Sequence, residues 1–174
     1  DCPTVVGDDG MLKMMAPEKN PLGKRYRELC GALRWVEQCT RPDISATLSE
    51  LCKVQANPGP EHMRQLEHLA RYVVSTKSVG LLYGGPERST ASAVLVAYAD
   101  SDWAGDPETL HTRGGNLFTC WQGAVSWGSY KIKAVAASST EAEYMNLALV
   151  VRQAKWLRYV LSDMGYTDLR CKNF

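Results

Sequence analysis

Between Lys24 and Ser75 the apolar positions recur every three or four residues. From Val94 to Tyr130 they shift to short runs and alternation. The first spacing marks one face of a helix, the second marks strands. Tyr26, Cys30, Leu33 and Val36 predict a helix over Lys24–Cys39, which Pro42 ends because the residue before proline avoids the helical region. Asp43 is placed to cap a second helix, Ile44–Ala56, with Ile44, Leu48 and Leu51 as its stripe. Asn57-Pro58-Gly59-Pro60 breaks the chain, and a third helix follows over Glu61–Ser75 on Met63, Leu66, Leu69 and Val73. His62, His68 and Arg71 lie off that stripe. The two histidines are too far apart for a helical metal pair, so both are expected to be satisfied at the surface. The three stripes must be buried by something.

Val79–Tyr83 reads as a short strand closed by Gly84-Gly85-Pro86, and the polar loop Glu87–Ser92 as a boundary. Val94–Asp100 is an apolar, partly β-branched run and predicts a buried strand. Strands over Gly115–Trp121 and Ala124–Tyr130, joined by a turn at Gln122-Gly123, make an antiparallel meander with it. The longest helical pattern is Ser138–Gly165. Its expected inner stripe is Ala142, Met145, Leu149, Trp156, Val160 and Met164, interrupted by Arg152. Ser138 and Glu141 form a capping box, and Gly165 suits the left-handed residue that closes a helix. Leu169–Phe174 begins one more strand.

The predicted organisation is a loosely packed lead-in (1–23), a helical module ending in a short strand (24–90) and an α/β (α+β) domain (91–174). The chain opens on Asp1 and is read as a piece of something longer. A net charge of +1 means that any nucleic-acid surface must be a local patch. Six cysteines without a C-x-x-C pair argue against a zinc site and a disulfide scaffold, and suggest reduced thiols in an intracellular protein. No membrane-length apolar run is present, and no membrane partner is expected.

The chemistry concentrates at the end of the first long strand, Tyr98-Ala99-Asp100-Ser101-Asp102-Trp103. Alternation puts Asp100 and Asp102 on one side, where they repel each other. A metal ion, a basic partner or open solvent must offset that, or the stretch is simply a polar strand end. Arg152, Lys155 and Arg158 recur every three residues along the long helix, and Lys131 and Lys133 precede it. Such a cluster suits phosphate neutralisation, and equally a solvated helix face. Trp103, Trp127, Trp156 and Tyr159 are expected to pack rather than to stack on bases.

Several motifs together resemble a known family. Tyr26-Arg27-Glu28-Leu29-Cys30-Gly31-Ala32-Leu33, Thr40-Arg41-Pro42-Asp43-Ile44, Asn57-Pro58 and His68-Leu69-Ala70-Arg71-Tyr72 are similar to the connection segment of copia-type retrotransposon polyproteins. Tyr98–Asp106, Ser126-Trp127 and Ser138-Ser139-Thr140-Glu141-Ala142-Glu143-Tyr144 resemble that family's ribonuclease H. The resemblance implies a truncated ribonuclease H-like fold: three antiparallel strands, a long helix and the start of a fourth strand. It implies cleavage of the RNA strand of an RNA–DNA hybrid with two Mg²⁺ (or Mn²⁺) ions held by carboxylates. Carried over, Asp100 and Glu143 are the catalytic and metal-binding acids, with Asp102 the second candidate on the strand. The polymerase part of the same polyprotein is an implied partner. Three positions depart from the family pattern. Cys171-Lys172-Asn173 has lysine where the family carries a metal-binding aspartate, Arg113-Gly114 stands for Ser-Gly, and Ile132 stands for a glutamine. With the fourth acidic position also missing, the chain is expected to be inactive, and Lys172 is expected to replace the metal's charge. The alternative is a domesticated, non-catalytic module that binds nucleic acid or protein.

Overall fold

The computed structural model describes residues 22–84, 94–103 and 111–166, and the backbone of 170–173. The expected lead-in, the Glu87–Ser92 boundary and most of the loop after Trp103 lie outside the described residues. Two compact units divide between Gly80 and Leu81.

The first unit is helical: α1 (Gly23–Thr40), a 3₁₀ turn (Pro42–Ile44), α2 (Ser45–Lys53) and α3 (Pro60–Ser75). The three predicted stripes bury one another. Tyr26, Cys30 and Leu33 of α1 meet Ile44, Leu48 and Leu51 around α2 and Met63, Leu66 and Leu69 of α3. The Tyr26 phenol donates to the Leu51 carbonyl at 2.8 Å, so its polar tip stays paired inside this core.

Two expectations fail here for electrostatic reasons. Asp43 does not cap a helix. Arg41 is buried and takes both its oxygens, Nε to Oδ1 at 2.9 Å and Nη2 to Oδ2 at 2.8 Å. Arg41 also donates to the Thr76 carbonyl and hydroxyl and lies 5.4 Å from the Tyr72 ring centre, while the Tyr72 hydroxyl donates to Asp43. This cluster fastens the end of α3 to the turn before α2. The guanidinium holds the Asp43 carboxyl below its ordinary range. His62 is not at the surface. It is buried, and its Nδ1 accepts the Gly59 N–H at 2.9 Å, satisfying a backbone donor ahead of the first turn of α3. Burial lowers its pKa, which keeps Nδ1 free to accept. His68 is exposed, as expected.

The second unit carries a four-stranded sheet in the order β3-β2-β1-β4. Its strands are β1 (Val94–Asp102), β2 (Arg113–Cys120), β3 (Gly123–Lys131) and β4 (Arg170–Asn173), and α4 (Ser139–Asp163) lies between β3 and β4 in the chain. β1 to β3 form the predicted antiparallel meander, and β4 pairs with β1 in parallel. Trp121 and Gln122, at φ 50° and 66°, make the left-handed hairpin turn one residue earlier than Gln122-Gly123. Val79–Tyr83 is not a strand. From Leu81 the segment lies instead against the β2–β3 turn. Gly84 N–H donates to the Trp121 carbonyl, and the Tyr83 hydroxyl to the Ala124 carbonyl at 2.6 Å.

Ser138 caps α4 by accepting the Glu141 N–H, and the Glu141 carboxylate accepts the Ala137 N–H at 2.7 Å, one residue further back than a standard capping box. Gly165, at φ 94°, closes the helix. The expected inner stripe holds at Ala142, is half-buried at Met145, Leu149 and Val160, and fails at Trp156 and Met164. Ala142, Asn146, Val150 and Leu161 are the buried positions, whereas Trp156, Tyr159 and Met164 are exposed. Val150, Ala154 and Leu157 pack on Leu95, Ala97 and Phe118 of the sheet. From Asn146 on, the buried positions fall about one residue beyond the stripe, and a polar contact is made at the first of them.

Candidate functional site

That polar contact sits at the acidic end of β1. Asn146 is buried, and its Nδ2 donates to two strand carbonyls, that of Asp100 on β1 and that of Gly115 on β2 at 3.0 Å. Its Oδ1 accepts the Tyr130 hydroxyl at 2.8 Å. The network continues along the helix–sheet seam. Asn116 Nδ2 donates to Gln153 Oε1, and Gln153 Nε2 donates to the Ser126 hydroxyl. Burial raises the pKa of the Tyr130 phenol, so it remains a donor. Gly114 is required beneath the network, because a Cβ there would meet Asn146 Oδ1 at 2.5 Å and the Tyr130 ring at 2.8 Å. The residues nearest the predicted chemistry are therefore ones the sequence reading missed. Their signal was an Asn and a Gln, seven residues apart, on the inner face of an apolar helix.

The expected acids stand around this anchor. Leu95 and Ala97 face α4, so by alternation Asp100 and Asp102 lie on the other face of β1. Both are exposed, and Asp100 Oδ1 accepts the Ser101 N–H at 2.9 Å. Glu143 is exposed on α4 one turn before Asn146, the residue that grips the Asp100 carbonyl. Among the described residues no group of three His, Cys, Asp or Glu side chains could hold a metal ion. Asp100, Asp102 and Glu143 are thus not brought together as a three-acid site. The backbone of Lys172 pairs with Val96; its side chain lies outside the described residues, and so does the test of its predicted role.

The basic candidates are all exposed: Lys131 at the end of β3, Lys133 in the following loop, and Arg152, Lys155 and Arg158 on α4. Three-residue steps turn roughly 60° short of a full helical turn, so the three α4 cations wind across its outer surface. Trp156 and Tyr159, 59% and 69% exposed, lie among them, which corrects the expectation that they pack. Trp103 is half-exposed and anchored at its polar tip, Nε1 donating to the Ala136 carbonyl at 3.0 Å. Trp127 is half-buried on β3.

Comparison with curated proteins finds the Pol polyprotein of the tobacco transposon TNT 1-94, 33% identical over 94% of this chain, and that of the Arabidopsis thaliana transposon RE1, 34% identical over 80%. It also finds secreted RxLR effector protein 161 of Plasmopara viticola, 39% identical over 76% of this chain. The chain is similar to these retrotransposon Pol polyproteins over most of its own length. It covers 90% of the effector protein, but only 11% and 9% of the two polyproteins. No family model and no solved structure matches this chain. None of its described helices is long and apolar enough to cross a membrane.

Proposed function

We propose that this chain is a retrotransposon-derived ribonuclease H-like module, preceded by its connection helices, that binds nucleic acid without cleaving it. The observation that carries the reading is the path of the second unit. An antiparallel meander whose first strand ends in acids is followed by a helix, and the next strand returns parallel to that first strand. This is the strand and helix order of a ribonuclease H, and it makes Asp100 and Glu143 the inherited acids by their place in that order, although Asp100 lies on the face of β1 turned from α4.

The donor set does not fit a two-ion centre. Two or three exposed carboxylates with no three-ligand group lack the charge and coordination that Mg²⁺ or Mn²⁺ demands, and lysine occupies the next inherited position. No catalytic step is therefore derived through a metal. Binding has its own support. Arg152, Lys155 and Arg158 present positive charge on the same stretch of α4 that exposes Trp156 and Tyr159, a combination that suits phosphates and unpaired base faces. An RNA–DNA hybrid is the inherited ligand, the polymerase part of a polyprotein the inherited partner, and an intracellular compartment the inherited setting. The near-full-length match to a protein named as an effector favours a second form of this reading, in which the module serves apart from any polyprotein.

The test is incubation with a labelled RNA–DNA hybrid in Mg²⁺ and in Mn²⁺, alongside binding measured by anisotropy. The expected result is an intact hybrid, with binding that weakens in the triple variant Arg152→Ser, Lys155→Ser, Arg158→Ser. Losing three phosphate contacts should flatten the slope of log affinity against log salt by about 2 to 3 units. Cleavage abolished by Asp100→Asn would overturn the inactive reading. Binding unchanged in the triple variant would overturn the surface.

A further inference from the structure

Helix α4 carries a second apolar face that the sheet does not cover. Asn146 and Val150 are buried on its inner side. Tyr144, Leu147, Ala148 and Val151 follow one another at helical spacing on the other side and share one stripe. All of them are exposed, Tyr144 by 68%, Leu147 by 47% and Val151 by 42%. No charged residue occurs between Glu143 and Arg152, so the block is wholly uncharged. Charges bracket it. Glu141 lies on the same stripe one turn before Tyr144, Lys155 continues it one turn after Val151, and Arg152 lies at its flank, all exposed. Along the helix the stripe therefore runs from acid through apolar to base.

We propose that this stripe is a homodimer contact, in which α4 packs antiparallel on α4 of a second copy about a two-fold axis between Leu147 and Ala148. The order of charge selects that occupant. Turned end to end, the stripe meets itself with its apolar block in register, Tyr144 against Val151 and Leu147 against Ala148. The same register brings Glu141 of each copy beside Lys155 of the other, with Arg152 on the same flank. A parallel pair would set Glu141 against Glu141 and Lys155 against Lys155, and would repel. Nucleic acid does not suit the block, which has no cation of its own and begins behind the exposed acids Glu141 and Glu143.

The parts of the contact have different tasks. The apolar block supplies the affinity, because Tyr144, Leu147 and Val151 leave water together. Ala148 is small enough to let the two helices approach closely at the axis. The ion pairs at either end are exposed, so they fix direction and register more than they add affinity. Glu141 can serve there without giving up its place at the helix start, since only its Oε2 accepts the Ala137 N–H. One pair of helices makes a small interface, so the association is weak and concentration-dependent. Lys155 belongs both to this contact and to the phosphate surface, and the two are separated through Leu147, which belongs to the contact alone.

The full chain is followed by sedimentation velocity over a concentration series at low ionic strength. Wild type is expected to show a reversible monomer–dimer equilibrium. Leu147→Asp sets like charges beside the axis and should weaken it by about tenfold or more. Its circular dichroism should be unchanged, because Leu147 is exposed in the monomer. Lys155→Glu and Glu141→Lys should each impair self-association by placing like charges opposite each other. An equimolar mixture of the two should associate, since every reversed charge then meets its opposite. If Glu141→Lys disturbs the helix start, Leu147→Asp and Lys155→Glu still decide the question. A wild type that stays monomeric throughout, a Leu147→Asp dimer as tight as wild type, or a mixture no better associated than its well-folded components would overturn the proposal. Hybrid binding weakened by Leu147→Asp in a monomeric wild type would overturn it too, and give the face to nucleic acid. Failure of the dimer leaves the reading of the α4 cations standing, because that is tested by hybrid binding and its salt slope.

Discussion

Replacing Asn146 by alanine should cost the second unit about 3 kcal/mol, at about 1 kcal/mol for each of the three hydrogen bonds lost. The bonds are its donations to the Asp100 and Gly115 carbonyls and its acceptance from Tyr130. Asn146 is buried, so water does not readily replace them, and the loss is a large share of an ordinary domain's 5 to 15 kcal/mol, roughly speaking. Tyr130→Phe removes one of the three and should cost about 1 kcal/mol. Because the two side chains share that bond, the double variant should be less destabilised than the sum of the singles by about 1 kcal/mol. The assay is urea unfolding followed by tryptophan fluorescence. Trp103, Trp121, Trp127 and Trp156 report on the second unit and Trp35 on the first, so the transition can be assigned. Asn146→Asp sets a carboxylate against two carbonyls and should be worse than alanine at neutral pH, recovering as acid protonates it. A loss below about 1 kcal/mol for Asn146→Ala, or strict additivity with Tyr130→Phe, would refute the view that this contact sets the phase of α4.

The helical unit should weaken in acid. The folded pKa values of His62 and Asp43 are both lowered, so each contributes stability above its unfolded value that is lost as pH falls through its folded value, His62 below about 6.5 and Asp43 below about 4. Helical circular dichroism across that range checks it, and a flat profile would count against both contacts. Asp43→Asn should cost about 2 kcal/mol at neutral pH in urea unfolding, because Arg41 stays buried without its carboxylate. Gly123→Ala should cost about 1 to 3 kcal/mol, since its Cβ would press on the Tyr83 ring and lie 2.6 Å from the Leu82 carbonyl. Proteolysis after Leu81 should then accelerate, and wild-type resistance in the variant would show that this segment gives way freely.

Much of this protein was decided locally and is therefore legible in its sequence. The helices of the first unit, the meander, the Ser138 cap and the Gly165 stop follow from spacing, β-branching and backbone restriction, all of which act within a few residues. The partners of polar side chains were not legible. Asp43 stands where a cap would, but the buried charge of Arg41 holds it, and Arg41 is buried only because α3 returns to cover it. His62 falls off the apolar stripe and still goes inside, because it satisfies a backbone N–H there. In α4 hydrophobicity pointed to Trp156 and Met164, yet Asn146 takes the inner face, bonded to two carbonyls on neighbouring strands. The site followed the same division. Asp100 and Glu143 could be placed on β1 and α4 from the sequence, because their order along the chain is fixed. Whether enough of them share one point depends on strand register and helix rotation. Those are set by contacts between residues distant in the chain, to which hydrophobic periodicity is blind.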